Sequence, residues 1–150
     1  MSARTRASLA LQATTKLQAE AVLLLVKQAT ERVKGGGTSL LTSGLQNAGA
    51  QVHVEQEGPS RLALSIKSGK RIFELCTFAA TVTNANGLSV LRVGGLDRYK
   101  TTQSRVLGFI PVGPKSIAGL DPYKRFLDEI ASALRQRDPA AKVDIAEAGA

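Results

Sequence analysis

His53 is the only histidine in this chain and Cys76 the only cysteine, so nucleophilic and metal-binding side chains are in short supply. A structural zinc site needs about four N/S ligands, and two candidates fall short. We therefore expect no metal and no cofactor. A Cys–His nucleophilic pair would need both side chains in one pocket. His53 alternates with Val52 and Val54, which points it to the solvent side of a strand. Cys76 sits in Phe73-Glu74-Leu75-Cys76-Thr77-Phe78 and reads as a small buried hydrophobe with no partner for an internal disulfide. Glu55 and Glu57 share a strand, both outward by alternation, and read as solvated acids rather than an acid/base couple. Gly35-Gly36-Gly37 follows a helical pattern and lacks dinucleotide or P-loop spacing. Val112-Gly113-Pro114-Lys115-Ser116 has the flavour of a phosphate loop, but Pro114 removes a backbone N–H, and a turn before a helix explains it better. No catalytic constellation emerges, and the expectation is a protein that is not an enzyme.

Charge is the stronger signal. The formal net charge is +8, and most of it comes from residues 58–115. There Arg61, Lys67, Lys70, Arg71, Arg92, Arg98, Lys100, Arg105 and Lys115 face only Glu74 and Asp97. Such asymmetry suits an anionic partner or an edge that must repel copies of itself. Lys67, Lys70 and Arg71 gather at one hairpin turn, while Arg98, Lys100, Arg105 and Lys115 belong to a long connection. If the two meet, these seven residues form one surface for an anionic partner. Tyr99, between Arg98 and Lys100, is the obvious candidate for base stacking.

These residues must be held by a single α+β domain spanning residues 1–150, with 1–8 and 146–150 frayed. Residues 6–34 read as one long helix with no Gly or Pro. Leu17, Ala21, Leu24 and Leu25 make one apolar stripe on it; Val22, Val26, Ala29 and Val33 make the next. Together they span roughly 200°, twice the usual arc. One side suits a sheet, and the other needs a second helix, a twin subunit or a partner. Residues 1–19 resemble an organelle transit peptide in composition, but a basic helix start is the preferred reading. The apolar run Ala21–Val26 is too short for a membrane span.

A short second helix follows through Leu40, Leu41 and Leu45. Beyond it the period falls to two over Gln51–Glu55, Arg61–Lys67, Ile72–Val82 and Leu88–Val93, a four-stranded antiparallel meander joined by compact turns. Residues 105–112 read as a fifth strand ending at Pro111 or as a loop over the core. Asp121 is expected as N-cap, with Pro122 opening a last helix. Its stripe, Leu120, Tyr123, Leu127, Ile130 and Leu134, should lie on the sheet, with Val143–Ile145 as a small edge strand.

The functional expectation is a cytoplasmic interaction or adaptor module without membrane insertion. It would dimerise, or bind a protein partner, through Val22, Leu23, Val26 and Val33 of the long helix. The alternative is sequence-independent binding of nucleic acid or another polyanion through the basic hairpin and connection. A second alternative is a carrier of a small apolar or anionic ligand between the last helix and the sheet, with Phe109, Ile110 and Pro111 as lid.

Overall fold

A computed structural model describes residues 6–33, 50–67, 74–99, 101–106 and 110–147, with side chains described for all of these but 102–106 and 110–116. The elements are β1 (Ala10–Thr15), α1 (Ala19–Arg32), β2 (Gln51–Glu57), β3 (Arg61–Lys67), β4 (Glu74–Ala85), β5 (Leu88–Gly94), β6 (Arg98–Tyr99), β7 (Thr101–Val106), β8 (Ile110–Ile117), α2 (Leu120–Arg137) and β9 (Lys142–Ala146). The fold is α+β: two helices and a seven-stranded antiparallel sheet in the order β2-β3-β4-β5-β1-β9, with β6 against β4. Strands β7 and β8 pair separately as an antiparallel ribbon.

The expected meander is present as β2 to β5, but the sheet is wider than four strands because the chain ends supply two more. Between β4 and β5 the chain reverses at Asn86-Gly87, with φ of 54° and 79°. That pair of left-handed residues makes the tight turn favoured by the twist of a hairpin. The largest correction lies before α1. Residues 6–34 are not one helix: β1 occupies Ala10–Thr15, hydrogen-bonded between β5 and β9. Leu11, Ala13 and Thr15 are buried on the helix side while Gln12 is exposed, a period of two hidden among good helix formers. Pairing on both sides overrides local propensity here. A transit segment reaching residue 19 would carry away a central strand. Residues 6–8 are also tied in, since Leu96 N–H donates to the Ala7 carbonyl at 2.8 Å. Of the fraying expected at 1–8 and 146–150, residues 1–5 and 148–150 lie outside the described residues, as does the second helix near Leu40–Leu45, whereas Ala146 ends β9.

Both helices cover one face of the sheet, α1 against β2, β4 and β5, α2 against β1 and β2. They also pack on each other, and Arg32 of α1 reaches Glu129 of α2 at 3.8 Å. That mutual packing accounts for the wide apolar arc: α2 is the second helix that α1 needs. Val22, Leu23, Val26 and Val33 are all buried within the chain, and Leu24 is the large apolar residue that α1 exposes. Beneath α2, Phe78 of β4 meets Tyr123 edge-on at 4.9 Å between ring centroids and Phe126 at 5.7 Å. The expected stripe Leu120, Tyr123, Leu127, Ile130 and Leu134 is buried as a set. The helix starts earlier than expected, with Gly119 as N-cap and Asp121 in its first turn. Residues 105–112 divide between β7 and β8, and Pro111 lies inside β8, opposite Arg105. A two-stranded ribbon consists of edges, where a missing N–H is tolerated.

Two polar contacts fasten α2 to β1. At one end the buried Tyr123 hydroxyl donates to the Leu9 carbonyl. At the other, Asp138 accepts from Thr15 Oγ1 at 2.7 Å and from Lys16 N–H at 3.1 Å. Gly94 makes room for the first contact: its φ is +91°, and any Cβ there would overlap the Tyr123 hydroxyl. Tyr123→Phe, which leaves the Leu9 carbonyl unpaired, should destabilise the fold by about 1–3 kcal/mol in chemical denaturation, and Gly94→Ala should cost more. Asp138 is held below the ordinary carboxylate range, first by the Thr15 hydroxyl and then by the Lys16 amide. A depressed folded-state pKa stabilises above the unfolded value and is lost as pH falls through the folded one. The difference in denaturation midpoint between wild type and Asp138→Asn should thus be largest near neutral pH and shrink below about pH 3.9.

Candidate anion-binding face

The face of the sheet opposite the helices carries the more polar half of most strands, because alternate residues point to opposite sides; β5 departs from this, placing Leu88 and Val90 there with Arg92. Register places His53, Ser65, Thr77 and Arg98 in one row across β2, β3, β4 and β6. A second row runs Arg61, Thr81, Arg92, Gln12 and Asp144 across β3, β4, β5, β1 and β9. Between the rows lie Ala63 and Ala79, opposite each other on β3 and β4. The centre of this face is thus floored by Ala, Ser and Thr and bordered by cations.

Two of those cations are neutralised. Lys67 Nζ lies 2.7 Å from Glu55 Oε1, which also accepts from Ser65 Oγ at 2.6 Å. Arg98 reaches Glu74 at 3.2 Å. The Glu55 carboxyl is held below its ordinary range, chiefly by its bond to Lys67 and then by Ser65. This group borders an open cleft of about 570 Å³ along β2, which Thr30, Glu31 and His53 also line. Arg61 and Arg92 have no acidic group within ion-pair distance among the described residues. Both are exposed, and two strand spacings place their backbones about 10 Å apart with Thr81 between. Arg92 also separates two recesses, about 380 Å³ beside Asp97 and Tyr99 and about 150 Å³ beside Asp144 and Glu147.

Of the expected anion-binding residues, Lys67 and Arg98 lie on this face. Lys70, Arg71 and Lys100 lie outside the described residues; Arg105 and Lys115 have described backbones, in β7 and β8, but not side chains. Arg61 and Arg92, outside the expected set of seven, lie here too. Cross-strand register through Thr81 brings them together, and no spacing in the sequence reveals it. The two glutamates separate instead of sharing a face. A bulge between Val54 and Gln56 breaks the alternation, so Glu55 joins Lys67 of β3 while Glu57 pairs with Lys27 of α1 at 3.3 Å. Residues 112–116 form part of β8, not a turn or a phosphate loop.

His53 and Cys76 stand on opposite faces of the sheet, since His53 is aligned with Ser65 while Cys76 is aligned with the neighbouring, buried Ile66. They cannot form a couple. Cys76 is buried, and that burial pushes its thiol up to about 12, which suits a core hydrophobe and not a nucleophile. Among the described residues no group of three or more His, Cys, Asp or Glu could hold a metal ion, and no helix is long and apolar enough to cross a membrane. No protein family, curated protein or solved structure matches the chain.

Removal of the ammonium by Lys67→Ala should let the Glu55 carboxyl rise toward the ordinary value of about 4.3. A carboxyl-carbon NMR titration of wild type and variant would measure the shift.

Proposed function

We propose that the protein is a non-enzymatic interaction module that receives an acidic protein surface on its open sheet face. The observation that carries this reading is the Arg61–Thr81–Arg92 row: two exposed guanidinium groups, unpaired among the described residues, on a face that neither helix covers. Arginine suits this task because its planar fork binds carboxylates through paired hydrogen bonds. The docking surface proposed from the sequence, Val22, Leu23, Val26 and Val33, is replaced by this one, because all four side chains are consumed by the core.

An acidic protein fits better than nucleic acid for two reasons. Glu55, Glu74 and Asp144 share the face with the cations, so its charge is patterned rather than uniformly positive. Stacking surface is also scarce: Tyr99 aligns with Cys76, on the helix side, and packs against the core. The ligand-carrier reading loses ground too, since Phe78, Tyr123 and Phe126 fill the space beneath α2. A cytoplasmic setting accords with the proposal, because the one cysteine is buried and unbridged.

Fluorescence anisotropy with labelled poly-glutamate and poly-dT, each at two salt concentrations, tests the reading. Poly-glutamate should bind, and the Arg61→Glu/Arg92→Glu double variant should lose about tenfold or more in affinity. Tighter binding of poly-dT that is equally sensitive to the variant would move nucleic acid to first place. Absence of binding to either polymer at low salt would overturn the proposal.

A further inference from the structure

Strand β9 closes the sheet beside β1, and among the described residues its far side is a sheet edge. Such an edge presents unpaired N–H and C=O groups, and proteins commonly blunt it with prolines, bulges, a covering element or charged side chains; here the charges are one of each sign, Lys142 and Asp144, so they do not repel a second copy in every register. Over Lys142–Ala146 there is no proline, and the β1–β9 register runs without a bulge. On the helix side, Val143 and Ile145 pack against the core but are only half-buried. On the open side, Lys142 and Asp144 are exposed.

We infer that this edge pairs with the same edge of a second copy, forming a homodimer with one sheet continuous across both subunits. The charges of β9 are self-complementary in a twofold antiparallel arrangement. With Val143 facing Val143 of the second copy across the axis, each Lys142 stands opposite the other copy's Asp144. Residues directly opposite in an antiparallel pair share a face, so both ion pairs would form on the open side while the half-buried valines cover each other on the helix side. Moving the axis to Asp144 would oppose two aspartates, so charge selects the Val143 register. The occupant is thus a second copy of this chain, docked through β9 and not through α1. Such an isologous contact closes on itself and does not propagate.

The test is sedimentation-velocity or light-scattering analysis of the full chain over a concentration series. Wild type should show a concentration-dependent dimer. Asp144→Lys sets Lys142 against a lysine twice in each dimer and should weaken association about tenfold. The swap Lys142→Asp/Asp144→Lys restores opposite charges across the axis and should recover the dimer. Circular dichroism of both variants should match wild type, since the two side chains are exposed. Strictly monomeric wild type would overturn the inference. So would a dimer unaffected by Asp144→Lys, or one that the swap fails to rescue. Because the readout is self-association at constant salt, the result is independent of whether the open face binds poly-glutamate.

Discussion

The length match between β1 and α2 is the constraint on which the rest of this fold depends. From Leu9 to Lys16 the extended chain covers about 23 Å, and from Tyr123 to Asp138 the helix covers about 22 Å. Strand and helix run side by side and are fastened at both ends, by the Tyr123 hydroxyl on the Leu9 carbonyl and by Asp138 on Thr15 and Lys16. These bonds join residues 114 and 123 positions apart. The last helix is thus tied to the first strand at both ends, and among the described residues β9 pairs in the sheet with β1 alone. Closure of the two ends rests on contacts of long sequence separation, whose loop-closure entropy must be met before they form.

Closure also decides what is left for function. Among the described residues two helices cover one face of the seven-stranded sheet, and they bury their apolar stripes against it and each other. The opposite face keeps the more hydrophilic half of the alternation. Small residues lie at its centre and arginines at its border, while Glu55 and Glu74 neutralise the side nearest β2 and β6. Among the described residues, the cations of this face that lack an acidic partner are thus Arg61, Arg92 and Lys142, and the proposed function is argued from the first two, which Thr81 aligns.

A good part of this was legible in the residues. The alternation from Gln51 to Val93 marks the meander, and Asn86-Gly87 marks the turn between β4 and β5. Spacings of three and four over Leu120, Tyr123, Leu127, Ile130 and Leu134 mark the helix stripe, and all five side chains are buried. The outward position of His53 and the buried, inert state of Cys76 also followed from local pattern. In each case neighbours within a few positions in the chain determine the environment, and periodicity reports it.

What periodicity could not report are the features that depend on partners far away in the chain. Leu9 to Thr15 contains good helix formers, and only pairing with β5 and β9 makes it a strand. The wide apolar arc of α1 is plain in the sequence, but that α2 and not another molecule covers its second side is a tertiary fact. One bulge in β2 sends Glu55 and Glu57 to opposite faces. Arg61 and Arg92 are 31 positions apart and unremarkable until Thr81 aligns them. The sequence by itself determined which residues could be buried and which strands could be neighbours by short turns. The tertiary structure decided which face each charge shares, because cross-strand register is set by packing of the whole sheet and a single inserted residue reverses it.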